Sequence, residues 1–164
     1  MSGPLRRSVL PMNSERGANR WRVFGVIAFA VLIVGAWPTS YLACPRWEVW
    51  VVDDNGEPLR HVNVRLVYQN YSAEGNSHEL TLAADENGHV LFPKQYEKAY
   101  IFQRLFYTAS SAMAGVHASF GRHAYVFAFG GGYEGSAVTG NYIADWRGSP
   151  DTMTSKIVAT RAHI

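Results

Sequence analysis

Alternation of apolar and polar residues with a period of two organises the middle of the chain. Arg46-Trp47-Glu48-Val49-Trp50-Val51-Val52-Asp53 reads as a strand that runs into the turn Asp54-Asn55-Gly56-Glu57-Pro58. From His61 to Tyr68, Val62, Val64, Leu66 and Tyr68 alternate against Asn63, Arg65 and Val67. Glu79-Leu80-Thr81-Leu82 starts a third strand, and Asp85-Glu86-Asn87-Gly88 turns it into His89-Val90-Leu91-Phe92, closed by Pro93. The spelling Asp-x-Asn-Gly occurs at 53–56 and again at 85–88. Asp and Asn side chains can hold a turn backbone, and Gly accepts positive φ. Neither stretch has the Gly and Glu spacing of a calcium loop.

After Pro93 the period changes. Phe102, Leu105, Phe106, Ala109 and Met113 share one helical face, with Ala99 one turn earlier and Gly115 as a stop. This predicts a helix from about Tyr96 to Ala114. Its apolar face suits a lid that packs Phe102, Leu105 and Phe106 on the sheet, and a membrane-surface or partner-binding role is the sharper alternative. His123 to Phe129 is again a strand, with Tyr125, Phe127 and Phe129 opposite Ala124, Val126 and Ala128. Ser155 to Thr160 reads as the last strand, after an irregular stretch around Trp146.

The N-terminal part follows neither period. Val23 to Trp37 has no polar side chain, and no charge occurs from Val23 to Pro45. A helix of that length reaches across a hydrocarbon core. Three readings stay open: a cleaved secretory signal, an uncleaved anchor, or a lipoprotein signal with Cys44 as the acylated residue. Ala43 before the only cysteine resembles a bacterial lipobox, whereas no A-x-A pair marks simple cleavage. Charge adds an orientation. Residues 1–22 carry five arginines against Glu15, a net of +4, while the rest of the chain is at −2. The basic excess thus places the N-terminus in the cytoplasm and gives no nucleic-acid stripe. The tail itself, polar and rich in Ser, Asn, Gly and Pro, reads as disordered.

Candidate chemistry is sparse. One cysteine excludes an intramolecular disulfide and a CxxC zinc site. The six histidines, His61, His78, His89, His117, His123 and His163, form no metal-ligand spacing. Asn70-Tyr71-Ser72 matches a glycosylation acceptor and is taken as loop. Gly130-Gly131-Gly132-Tyr133-Glu134-Gly135 contains GxGxxG after a strand, but no helix follows, so a dinucleotide site lacks its setting. No catalytic, cofactor or metal residue is nominated. A hydrolytic site would need His117, His123 and a carboxylate to converge.

Val51-Val52-Asp53, Gly56, Pro58, Val62, Val64 and Leu66, continued by Asp85, Asn87-Gly88 and Phe92, resemble the carboxypeptidase regulatory-like domain within the transthyretin-like β-sandwiches. The resemblance covers residues 46–93 and implies a sandwich of about seven strands that supports or binds and does not catalyse. It departs after Phe92, where the predicted helix intervenes. Trp146-Arg147-Gly148-Ser149 resembles the Y-R-G-S signature of the branch that hydrolyses 5-hydroxyisourate. Val49 stands where that branch has its first histidine, so the hydrolytic arrangement is not implied.

Together these readings predict a mainly β protein: a Greek-key-type β-sandwich over residues 46–164 with one inserted helix. A basic cytoplasmic tail (1–22) and a transmembrane or signal segment (23–45) precede it. The expected task is non-catalytic binding or scaffolding at the cell envelope, tethered to the membrane. An envelope protein partner is possible, with no cofactor and no nucleic acid. A cryptic hydrolase and an accessory subunit of an envelope complex are the alternatives.

Overall fold

The computed structural model describes residues 14–139 and 142–162. The chain forms two compact units, one ending at Trp37 and one starting at Pro38. The first contains helix α1, Ser14–Gly35. Residues 14–22, expected to be disordered, are thus helical, and the rest of the predicted tail lies outside the described residues.

The uncharged run from Val23 to Pro45 is not one helix. Only Val23 to Gly35 is helical, about 20 Å at roughly 1.5 Å per residue. A hydrocarbon core is about 30 Å thick. Among the described residues no helix is long and apolar enough to cross a membrane. The break has a local cause. Proline cannot continue a helix and disfavours helical backbone in the residue before it, so Trp37-Pro38 ends the run. Strand β1 then occupies Pro38–Cys44, and the second half of the expected span belongs to the β unit.

The β unit is a sandwich. In chain order its main strands are β2 (Arg46–Val52), β3 (Asn63–Asn70), β4 (His78–Ala83), β5 (His89–Phe92) and β6 (Gln95–Tyr100). Helix α2 (Ile101–Met113) follows, then β7 (Arg122–Gly130) and β8 (Tyr133–Ser136). The short strands β9 (Val138–Thr139), β10 (Tyr142–Ile143) and β11 (Asp145–Trp146) lead to β12 (Thr152–Val158) and β13 (Thr160–Arg161). One sheet has the order β12-β2-β5, with β12 parallel and β5 antiparallel to β2. The other has the order β13-β8-β7-β3-β4, with β11 also on β7. Separate two-stranded pairs are β1–β6 and β9–β10.

The period-two patterns explain the packing. Trp47, Val49 and Val51 of β2 and Val90 and Phe92 of β5 point inward against Val64 and Leu66 of β3. From β7 it is the small residues, Ala124, Val126 and Ala128, that face the core. Trp47, Phe92 and Trp146 already fill that space, so Tyr125, Phe127 and Phe129 take the outer face. Both Asp-x-Asn-Gly stretches are turns. Asp53 Oδ1 accepts the N–H groups of Asn55 and Glu57 at 2.8 Å, and Asp85 Oδ1 those of Asn87 and His89 at 2.9 Å.

The inserted helix departs from expectation in two ways. It begins at Ile101, because Gln95–Tyr100 pairs with β1 as a strand. Its apolar face also points away from the sandwich. Leu105 is 61% exposed, Phe106 65% and Met113 88%, and no residue of α2 is buried. The predicted lid packing of Phe102, Leu105 and Phe106 therefore does not occur. The polar network beneath the helix is the reason. Tyr41, Glu74, Tyr68 and Glu97 meet there, with Tyr41 donating to Glu74 and Tyr68 to Glu97, both at 3.5 Å. Arg104 covers the Tyr41 ring at 4.9 Å. A buried polar surface takes a polar face, so α2 turns Arg104, Tyr107 and Ser111 inward.

Candidate functional site

The candidate site is built where β7 starts and β11 joins it. Antiparallel pairing sets Asp145 beside Tyr125 and Trp146 beside Ala124, which brings Arg147 alongside His123 and Arg122. Together with Tyr71, Ser119 and Phe120 these residues line an open cleft of about 430 Å³. A smaller hollow with Gln69, Ser77 and Tyr125 shares Tyr71 and His123 with it.

Each charged group is held. His123 Nε2 lies 3.1 Å from Asp145 Oδ2, and Arg147 Nε donates to the same oxygen at 2.8 Å. Burial works against the Asp145 charge, but the bonds from Arg147 and His123 outweigh it and hold its pKa below the ordinary carboxylate value. Arg122 donates through Nη1 to the Leu42 carbonyl at 3.1 Å and lies over the Trp146 ring at 5.5 Å. Gly148 makes room for it: its φ is +91°, and a Cβ there would stand 3.2 Å from the Arg122 guanidinium. Among the described residues no acidic side chain lines the cleft, while two arginines and a histidine do. Among the described residues Arg147 is bonded through Nε, and its side chain is 78% exposed.

An aromatic stripe leaves the cleft along the outer face of β7. Tyr71 and His123, His123 and Tyr125, Tyr125 and Phe127, and Phe127 and Phe129 follow one another at 5.7–6.3 Å between ring centres. Arg65 closes it over Phe129 at 4.9 Å.

The residues singled out in the sequence fare differently. His123 and a carboxylate do converge, but His117 sits on an exposed 3₁₀ turn, Gly115–His117, and does not line the cleft. Arg147 of the Trp146–Ser149 stretch enters the cleft, and Trp146 enters the core. His78 pairs with Glu74 at 2.7 Å and His89 with Glu48 at 3.0 Å. Among the described residues no group of three or more His, Cys, Asp or Glu could hold a metal ion. Asn70 is buried and its Oδ1 accepts the Ser72 N–H at 3.1 Å, so the acceptor motif is a turn. The triglycine is the β7–β8 hairpin, with φ from 64° to 96° at Gly130, Gly131 and Gly132.

In this structure Cys44, the acylation candidate, is a core residue. It ends β1, is 0% exposed and belongs to the core beside Trp47 and Tyr68. Burial pushes its thiol up to about 12. Acylation there would require cleavage before residue 44, which removes the rest of β1 from its ladder with β6. Arg122, Tyr71 and Asp145 were not nominated from the sequence. They are far apart in the chain, and only the Asp145-x-Arg147 spacing gives a local hint.

No protein-family model matches the chain, and no curated protein matches it. Among solved structures, a 3-chlorocatechol 1,2-dioxygenase from Rhodococcus opacus 1CP is similar at 13% identity and a TM-score of 0.42, covering 90% of this chain and 84% of the dioxygenase. The pilus-presented adhesin Spy0125 (Cpa) is similar at 8% identity and a TM-score of 0.30, with 74% of this chain on 28% of the adhesin. Likeness at this level assigns no chemistry.

Proposed function

We propose that the protein is a membrane-tethered β-sandwich of the cell envelope that binds a small anionic ligand without turning it over. The convergence of Arg122, Arg147 and His123 on one cleft, with Asp145 tied by hydrogen bonds to Arg147 and His123, carries this reading. Guanidinium groups recognise carboxylate and phosphate through paired hydrogen bonds, and the aromatic stripe offers a flat body somewhere to stack. The tether reading is supported by α1, whose Phe24, Ile27, Phe29, Leu32 and Val34 are exposed around the whole helix. A helix without a polar face needs an apolar surrounding. Arg20 and Arg22, at the start of the apolar run, add attraction to anionic headgroups. The turn and core positions at 51–92 keep the carboxypeptidase regulatory-like resemblance as the finer family reading.

Isothermal titration of the full chain in detergent with benzoate and with inorganic phosphate tests the cleft. Saturable binding of at least one anion is expected. Arg147→Ala should weaken it about tenfold or more, since a charged hydrogen bond is worth about 1.5–3 kcal/mol. No saturable heat with either anion, or no effect of Arg147→Ala, would overturn the reading. The His123–Asp145 pair, with Ser119 in the same cleft, favours a hydrolase as second reading. Fluorophosphonate labelling that is lost in Ser119→Ala would replace binding by hydrolysis.

A further inference from the structure

Helix α2 is packed with its polar face on the sandwich and its apolar face outward, and specific contacts hold it so. Arg104 stacks on Tyr41, and Ser111 Oγ donates to the Tyr71 carbonyl at 3.2 Å. The Tyr107 ring lies so near Gly75 that a Cβ there would meet it at 3.1 Å. Rolling the helix to bury Phe102, Leu105 and Phe106 would break all three contacts and leave the polar network without its cover.

We infer that α2 docks on the surface of an anionic bilayer, with Phe102, Leu105, Phe106 and Met113 in the boundary between headgroups and acyl chains. The inference rests on the membrane tether proposed above. Three observations select lipid over another occupant. First, the β unit begins beside the start of α2. Pro38 follows directly on Trp37 and is paired with Tyr100, the residue before α2. Paired strands lie about 4.8 Å apart, so the point where the chain enters the β unit lies next to Ile101. Second, no Asp or Glu occurs between Glu97 and Glu134, while Lys98 is exposed on β6. Anionic headgroups attract such a segment and do not repel it. Third, Tyr96 and Tyr100 are exposed on either side of Lys98, a pairing suited to the headgroup level. An amphipathic helix of this kind lies in the interface plane, its apolar face about 5–10 Å deep.

The test uses the full chain reconstituted with vesicles of phosphatidylcholine and phosphatidylglycerol. An environment-sensitive fluorophore is placed through Phe106→Cys, through Leu105→Cys as a second outward position, and through Lys156→Cys on the exposed face of β12 as reference. The buried Cys44 stays unlabelled in the folded protein. The protein should float with the vesicles. The labels at 105 and 106 should shift to the blue and lose at least half their emission to shallow doxyl-lipid quenchers, with the label at 156 unchanged. Flotation with 105 and 106 still in water overturns the docking of α2 and leaves the tether standing. Absence of flotation overturns the tether and, with it, the docking. A blue shift without lipid quenching means that protein, a second copy included, covers the helix, and overturns the inference.

Discussion

The two Asp-x-Asn-Gly turns provide a controlled measurement of what the sandwich demands of its backbone. Gly56 and Gly88 occupy the same turn position at φ of +87° and +72°. A Cβ on Gly56 would meet nothing within 4 Å. On Gly88 it would stand 2.4 Å from the Val51 carbonyl oxygen, 3.2 Å from the Leu59 nitrogen and 3.3 Å from Pro58. Those neighbours cannot step aside. Val51 lies in β2, the strand between β5 and β12; its N–H donates to the Gly88 carbonyl at 2.8 Å and its carbonyl accepts from Leu59 at 3.0 Å. Gly56→Ala should therefore cost the left-handed strain alone, about 1–2 kcal/mol. Gly88→Ala should cost that strain plus overpacking of about 1–3 kcal/mol, for a total of about 2–5 kcal/mol. Urea unfolding in a non-ionic detergent, followed by the fluorescence of the buried Trp47 and Trp146, measures both. Equal losses in the two variants, within about 0.5 kcal/mol, would refute the claim that close approach to β2 distinguishes the turns.

The burial of Cys44 predicts that a thiol reagent modifies the native protein no faster than global unfolding allows, and that labelled palmitate is not incorporated; rapid modification under native conditions would contradict the packing. Tyr41, Tyr68 and Cys44 each have a pKa raised to about 12, by burial first and, for the tyrosines, then by nearby Glu74 and Glu97. Their unfolded counterparts ionise from 9.0 for the thiol and 10.0 for the tyrosines, so between these values and about 12 the folded state holds more protons. Stability should accordingly be full below about pH 9 and fall steadily toward pH 12. A flat urea midpoint across that window would show that these side chains are solvated.

Strands with one buried face were legible because alternation is itself the signature of half-burial, as in Val62 to Tyr68. Three features were not. Hydropathy treats Val23 to Pro45 as one run, since it registers apolarity and not the φ restriction that Pro38 places on the chain. Tyr96 to Tyr100 reads as helix in the sequence because Ala99 fits both the helical period from Phe102 and the strand alternation against Lys98 and Tyr100. The direction of α2 was illegible for a deeper reason. Periodicity tells which residues share a face but not which face is inside; that choice was made by Tyr41, Glu74 and Glu97, from three other segments. The cleft is illegible on similar grounds. Asp145 meets His123 only through the pairing of β11 with β7, across 22 residues that carry no spacing signal.

The cleft and the outward helix are not independent features of this fold. After the 3₁₀ turn that follows α2, Ala118, Ser119 and Phe120 form one wall of the cleft, and the chain enters β7 at Arg122 and His123. The lining also includes Tyr71, whose carbonyl accepts from Ser111 of α2 and whose N–H donates to the Gly121 carbonyl. Ser72 Oγ accepts from the Gly121 N–H, so the Tyr71 turn and the entry to β7 are bonded in both directions. Helix α2 is thus connected to the cleft lining by hydrogen bonds and a short chain segment outside the hydrophobic core.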